Sequence, residues 1–110
     1  MNSTPQSSLQ QALDALWTRF LPELQQRIAI LEEAGRAFAG NRLSEKQQEA
    51  ANIAAHKLAG VLGTFGLTRG TVLARELEIL YSRENGPDPA MAEKLGHIAA
   101  QLRAIVESRR

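Results

Sequence analysis

The sequence contains no cysteine, which excludes a disulfide framework, a thiolate nucleophile and any Cys-ligated metal. Long apolar runs are missing too: nowhere do the roughly 18 consecutive apolar residues of a membrane-crossing helix occur. The opening residues, Met1-Asn2-Ser3-Thr4-Pro5-Gln6-Ser7-Ser8, carry neither the basic region nor the apolar stretch of a secretory signal. A cytoplasmic location and no membrane partner are expected. Charge of one sign is not in excess, with 13 Lys and Arg against 12 Asp and Glu. That is far from the basic balance that drives phosphate-backbone binding, so nucleic acid is not an expected partner. Aromatic residues make up only 5%, and Trp17, Tyr81 and the three phenylalanines fall on apolar stripes, as core rather than as a base-stacking surface. What is present is globular material: 110 residues, 44% hydrophobic and 23% charged, suffice for one domain with a core.

The periodicity predicts helices and no strands. Residues 1–6 are polar, contain Pro5 and repeat nothing, so a mobile terminus is expected ahead of a single domain at 7–108. Ser8 and Gln11 have capping-box spacing, and Leu9, Leu13, Leu16, Trp17 and Phe20 follow at helical intervals, giving a first helix at 8–20. Pro22 suits the first turn of a second helix, whose stripe is Leu24, Ile28, Leu31 and Phe38 and whose end is Gly40-Asn41. Ser44 to Gln47 is another capping box and opens a third helix at about 45–65. Gly66 offers a left-handed stop, Thr68 a cap for the next helix, and Leu73, Leu77, Leu80 and Tyr81 one face of it to about Glu84. After the turn Asn85-Gly86-Pro87, Asp88-Pro89 starts a last helix with Met91, Leu95, Ile98, Leu102 and Ile105 at four-three spacing. Helices of this kind bury their stripes against one another, so the expected fold is all-α: an antiparallel four-helix bundle with an additional short N-terminal helix.

The third helix carries the functional signal. At about 100° per residue from His56, Ala54, Leu58, Val61, Leu62 and Phe65 fall between about 140° and 240° and form the core face. Glu45, Glu49, Asn52, Gly60 and Gly63 fall within about 40° of His56. The histidine is therefore expected to be exposed. Each interior glycine costs a helix roughly 1 kcal/mol relative to alanine, so two of them need a compensating role. Side-chain-free positions beyond a protruding imidazole let another protein's surface approach it closely. Equally, they let a neighbouring helix of the same bundle pack close, and geometry alone does not separate the two.

Phosphate-cradling glycine loops and a His-Glu-x-x-His zinc signature are missing. His97 lies off the stripe of the last helix as an incidental surface residue, and no metal site is expected.

Ala55-His56-Lys57-Leu58-Ala59-Gly60-Val61-Leu62-Gly63-Thr64-Phe65-Gly66-Leu67, followed by Leu73-Ala74-Arg75-Glu76-Leu77-Glu78, resembles the signature of histidine phosphotransfer (HPt) domains over about residues 50–80. These are phosphoryl carriers of bacterial phosphorelays and chemotaxis-type kinases. The resemblance implies that His56 is the phosphoacceptor, modified on Nε2, and that the partners are a response-regulator receiver domain, a histidine kinase, or both. It implies a carrier rather than an enzyme, with no cofactor bound by this chain and Mg²⁺ supplied by the receiver; a monomer is expected. The family usually has Lys three residues after the histidine. This chain has Ala59 there, and Lys57 directly after His56, where its flexible stem can swing towards a phosphoryl group or stay in solvent. Glu78 aligns with a helix-four glutamate that orients the imidazole in the chemotaxis branch, with Glu76 and Arg75 as nearby alternatives. Asn52, Gly60 and Gly63 are the expected partner-docking positions. The competing reading is a degenerate, non-transferring interaction domain, supported by Ala59. A small helical enzyme using His56 as general base would need a deep pocket around it.

Overall fold

The computed structural model describes residues 5–109, with side chains from Ser8 onward. Its first helix, α1, runs unbroken over Pro5–Ala39, 35 residues. α2 spans Glu45–Thr64, α3 Thr68–Ser82 and α4 Ala92–Ser108, the last preceded by a single 3₁₀ turn at Pro89–Met91. No strand occurs among the described residues. The all-α bundle is as expected, but the separate short N-terminal helix is not found. The break read at Pro22 is absent because the apolar phase continues across it: Trp17, Leu24, Ile28 and Leu31 share one buried stripe. An interior proline costs a helix about 3 kcal/mol. Each large side chain buried on that stripe contributes a comparable amount, and Pro22 itself faces solvent.

Two further expectations at the N-terminus are corrected. Ser8 lies inside α1 and caps nothing, and Leu9, read as part of the stripe, is 61% exposed. Pro5 and Gln6 belong to the first turn of α1, and the rest of the expected mobile stretch, residues 1–4, lies outside the described residues.

The later boundaries follow their caps. Ser44 accepts from the Gln47 amide at 3.1 Å while Gln47 Oε1 accepts from the Ser44 amide at 2.9 Å, closing the capping box that starts α2. Gly66 and Gly86 adopt φ of +70° and +75°, left-handed values that glycine reaches without a Cβ clash, and these turns end α2 and follow α3. Thr68 is the first residue of α3 rather than its cap, and α3 stops at Ser82, two residues before the expected end. Asp88 accepts from the Ala90 amide at 2.8 Å, so Asp88-Pro89 does open the final helical segment.

One core spans all four helices, built on Leu24, Ile28, Leu31, Leu58, Leu62, Leu77, Leu95 and Leu102. Ala51, Ala55 and Ala59 are buried as well as Ala54, so more of α2 is core than the wheel assigned to it, and small residues of this kind let helices pack close. Arg103 of α4 bridges to Glu32 of α1 through two 2.7 Å bonds, which hold the Glu32 carboxyl below its usual range. Trp17 and Phe65 meet edge to face at 5.1 Å, with the Arg109 guanidinium over both rings.

Tyr81 is 2% exposed, its hydroxyl has no hydrogen-bond partner among the described residues, and burial pushes the phenol up to about 12. An unfolded tyrosine titrates near pH 10. Below that both states keep the proton; as the pH rises towards 12 the unfolded chain releases it first, so stability falls. The loss is about 1 kcal/mol at pH 11 and tends to about 3 kcal/mol above pH 12. Tyr81→Phe is expected to remove this alkaline component, measured as the difference between urea unfolding at pH 8 and pH 11. A variant whose stability declines as steeply as the wild type contradicts the assignment.

Candidate functional site

Every fourth residue along one line of α2 points at α3. Gln48 Nε2 donates to the carbonyls of Tyr81 at 3.0 Å and Arg83 at 2.7 Å, satisfying acceptors that the end of α3 leaves free. Asn52 Nδ2 donates to the Glu78 carbonyl at 2.8 Å. His56 Nδ1 lies 2.7 Å from Glu78 Oε2. The next position in the series is Gly60, around which an added Cβ would meet nothing within 4 Å. Three tethers followed by a bare surface thus place the histidine at the boundary between a rigid contact and open space.

The chemistry of the His56 contact follows from the donor inventory. An ionised carboxylate only accepts, so Nδ1 carries the proton and donates it to Glu78. In the neutral ring Nε2 then holds the lone pair, and the two nitrogens project in divergent directions. The His56 side chain is 67% exposed and that of Glu78 25%, so the carboxylate is the sheltered partner and the imidazole the presented one. Asn52, by holding the Glu78 backbone, fixes the helix turn from which the carboxylate reaches. Of the two alternatives to Glu78, Glu76 is committed to Lys94 of α4 at 2.7 Å, and Arg75 is exposed.

Among the other residues singled out in the sequence, Gly60 and Gly63 are exposed, and a Cβ at Gly63 would make only ordinary contact with Thr71 at 3.6 Å. Neither glycine is therefore required for helix packing. Gly60→Ala is expected to raise stability by about 1 kcal/mol through helix propensity alone. Chemical denaturation checks this, and a destabilised variant would show that the backbone there needs glycine. Asn52 is half-buried with its amide already used, so its first role is positional. Lys57 is exposed on the side of α2 facing α1. Ala59 is 1% exposed, on the side from which Asn52 reaches α3. His97 is exposed on α4, and no group of three or more metal-ligating side chains occurs among the described residues.

His56 does not sit in a deep pocket. It borders a shallow, open depression of about 350 Å³ shared with Phe20, Arg27, Lys57, Gly60, Val61 and Thr64. Such a surface suits a protein partner better than an enclosed small substrate. Two residues here escaped the sequence reading. Gln48 was detectable, because it precedes Asn52 and His56 at steps of four. Arg27 was not, because its place beside α2 depends on the relative register of two helices.

The site is thus one imidazole, in contact with a carboxylate through Nδ1, on an open face of a helical bundle. The model of the Hpt domain family matches residues 15–108, and the chain belongs to that family of histidine phosphotransfer domains, phosphocarrier modules that work with receiver or kinase domains. It is also 44% identical, over 77 residues, to Protein RcaC of Microchaete diplosiphon, a match covering 67% of this chain and 12% of that protein. The chain thus spans a small part of this relative. No solved structure matches it significantly. Among the described residues no helix is long and apolar enough to cross a membrane.

Proposed function

We propose that this domain carries a phosphoryl group on Nε2 of His56, exchanging it with an aspartate of a response-regulator receiver domain or accepting it from a histidine kinase. The observation that carries this reading is the 2.7 Å contact between Nδ1 and Glu78 on a ring that is otherwise exposed. In the forward step the Nε2 lone pair attacks phosphorus, the P–O bond to the donor aspartate breaks, and the aspartate leaves as a carboxylate. The imidazole becomes cationic, and its Nδ1–H, already donated to Glu78, meets a negative charge as that happens. Return of the phosphoryl group reverses each step.

The receiver contributes Mg²⁺, which neutralises charge on the transferring group; this chain contributes the oriented nucleophile and a face that can be approached. Lys57, on the rim of the same depression, adds a flexible positive charge. Gly60 and Gly63 leave room for the receiver surface. Gly60→Gln is accordingly expected to slow transfer from a receiver tenfold or more while stability stays at or above that of the wild type; unchanged transfer would remove this face from the docking surface.

The test is incubation with a phosphorylated receiver domain and Mg²⁺. Acid-labile, base-stable label on the protein is the expected result. Binding of the receiver without any label would favour the interaction-domain reading, for which the alanine at position 59 speaks.

A further inference from the structure

His56 stands on a ridge between two different flanks. On the α3 side it meets the Glu78 carboxylate, and the neighbouring positions Ala55 and Ala59 are buried and apolar. On the α1 side the depression it borders is lined by two cations, Arg27 and Lys57. Because Nδ1 is turned to α3, Nε2 is turned away from it. Negative charge added at Nε2 is therefore added on the side where the cations are.

Arg27 is placed to respond. Its side chain is only 21% exposed, so its stem is packed against the α1–α2 seam, and its ion-pair contact among the described residues is Glu23, one turn earlier, at 3.5 Å. That separation is long beside the 2.7 Å of Arg103 with Glu32, and surface pairs of this type are weak. A phosphoryl dianion offers two oxygens to the planar guanidinium fork, a stronger and more directional partner than one distant carboxylate oxygen. We propose that Arg27 of α1 is a phosphoryl-binding residue, exchanging its contact with Glu23 for the oxygens of phosphorylated His56. This rests on the carrier reading and adds to it a second helix that senses whether the histidine is loaded. In the loaded state α1 is tied to α2 at the site, so the surface offered to a partner differs between the two states.

The test uses the full chain phosphorylated with phosphoramidate, which needs no partner protein. His56 Nε2 attacks phosphorus, the donor P–N bond breaks, and ammonia departs with the protons it already carries. The phosphohistidine is then titrated by ³¹P NMR. A guanidinium in contact favours the dianion, so the wild-type midpoint is expected to lie about one pH unit below that of Arg27→Gln. Arg27→Lys is expected to recover part of the difference, and Glu23→Gln to lower the midpoint further by removing the competing carboxylate. A purely structural role for Arg27 would change melting without moving the midpoint. Folded Arg27→Gln that titrates like the wild type overturns the proposal and leaves the carrier reading standing. A wild type that forms no phosphohistidine, either from phosphoramidate or from a phosphorylated receiver, overturns both.

Discussion

His56→Gln is expected to reduce phosphoryl acceptance to background while leaving the fold intact. Glutamine has no ring nitrogen lone pair to attack phosphorus, and His97, the other histidine, is on α4, whereas the Glu78 carboxylate lies 2.7 Å from His56. The His56 side chain is two-thirds exposed and contributes nothing to the buried core, so the change in stability is expected to stay within roughly 0.5 kcal/mol. The two halves of the result are read separately, by label incorporation from a phosphorylated receiver and by urea unfolding. Residual labelling near the wild-type level would mean that another side chain is the acceptor. A large loss of stability would mean that the ring is part of the architecture.

Glu78 variants are expected to produce the next largest effect, and in two grades. Glu78→Gln keeps an oxygen that can accept from Nδ1–H but removes the charge that stabilises the ring as it becomes cationic; the transfer rate is expected to fall about tenfold, equivalent to about 1.4 kcal/mol of barrier. Glu78→Ala removes the acceptor as well, freeing the ring to rotate and to take the tautomer with the proton on Nε2, where no lone pair is available. A loss approaching 100-fold is expected there, in line with what removal of an imidazole-orienting carboxylate does in other settings. Rates under single-turnover conditions with a saturating donor separate this from weaker docking. Equal rates for the wild type and Glu78→Ala would reduce the 2.7 Å contact to a surface ion pair of no consequence.

Much of this arrangement could be read before the structure, because it is encoded locally. The Ser44 capping box, the left-handed stop at Gly66, the turn around Gly86 and the Asp88-Pro89 start are each set by a few neighbouring residues, and the structure forms all of them. Exposure of His56 follows from the angular position of α2's apolar residues. The contact with Glu78 was reached through the family resemblance, since the spacing alone left Glu76 and Arg75 as alternatives; the structure separates them by giving Glu76 to Lys94. Pro22 was misread because a proline is judged by its local cost, whereas α1 is held together by a stripe that keeps its phase on both sides of it. Arg27 was invisible for a related reason: nothing in local periodicity says how far one helix slides along another, and that register is decided by the whole core. Asn52 shows the same limit in milder form. Its place on the histidine face was legible, but its bond to the Glu78 carbonyl was not.

The proposed transfer depends on which ring nitrogen of His56 is held and which is free. A long-range ¹H–¹⁵N correlation spectrum of the ¹⁵N-labelled protein reads both nitrogens directly, before and after phosphorylation. The prediction is a neutral ring protonated on Nδ1, then a phosphorus coupling that appears on Nε2 with the Nδ1 proton retained. A ring protonated on Nε2 in the resting protein, or phosphorus bonded to Nδ1, would contradict it.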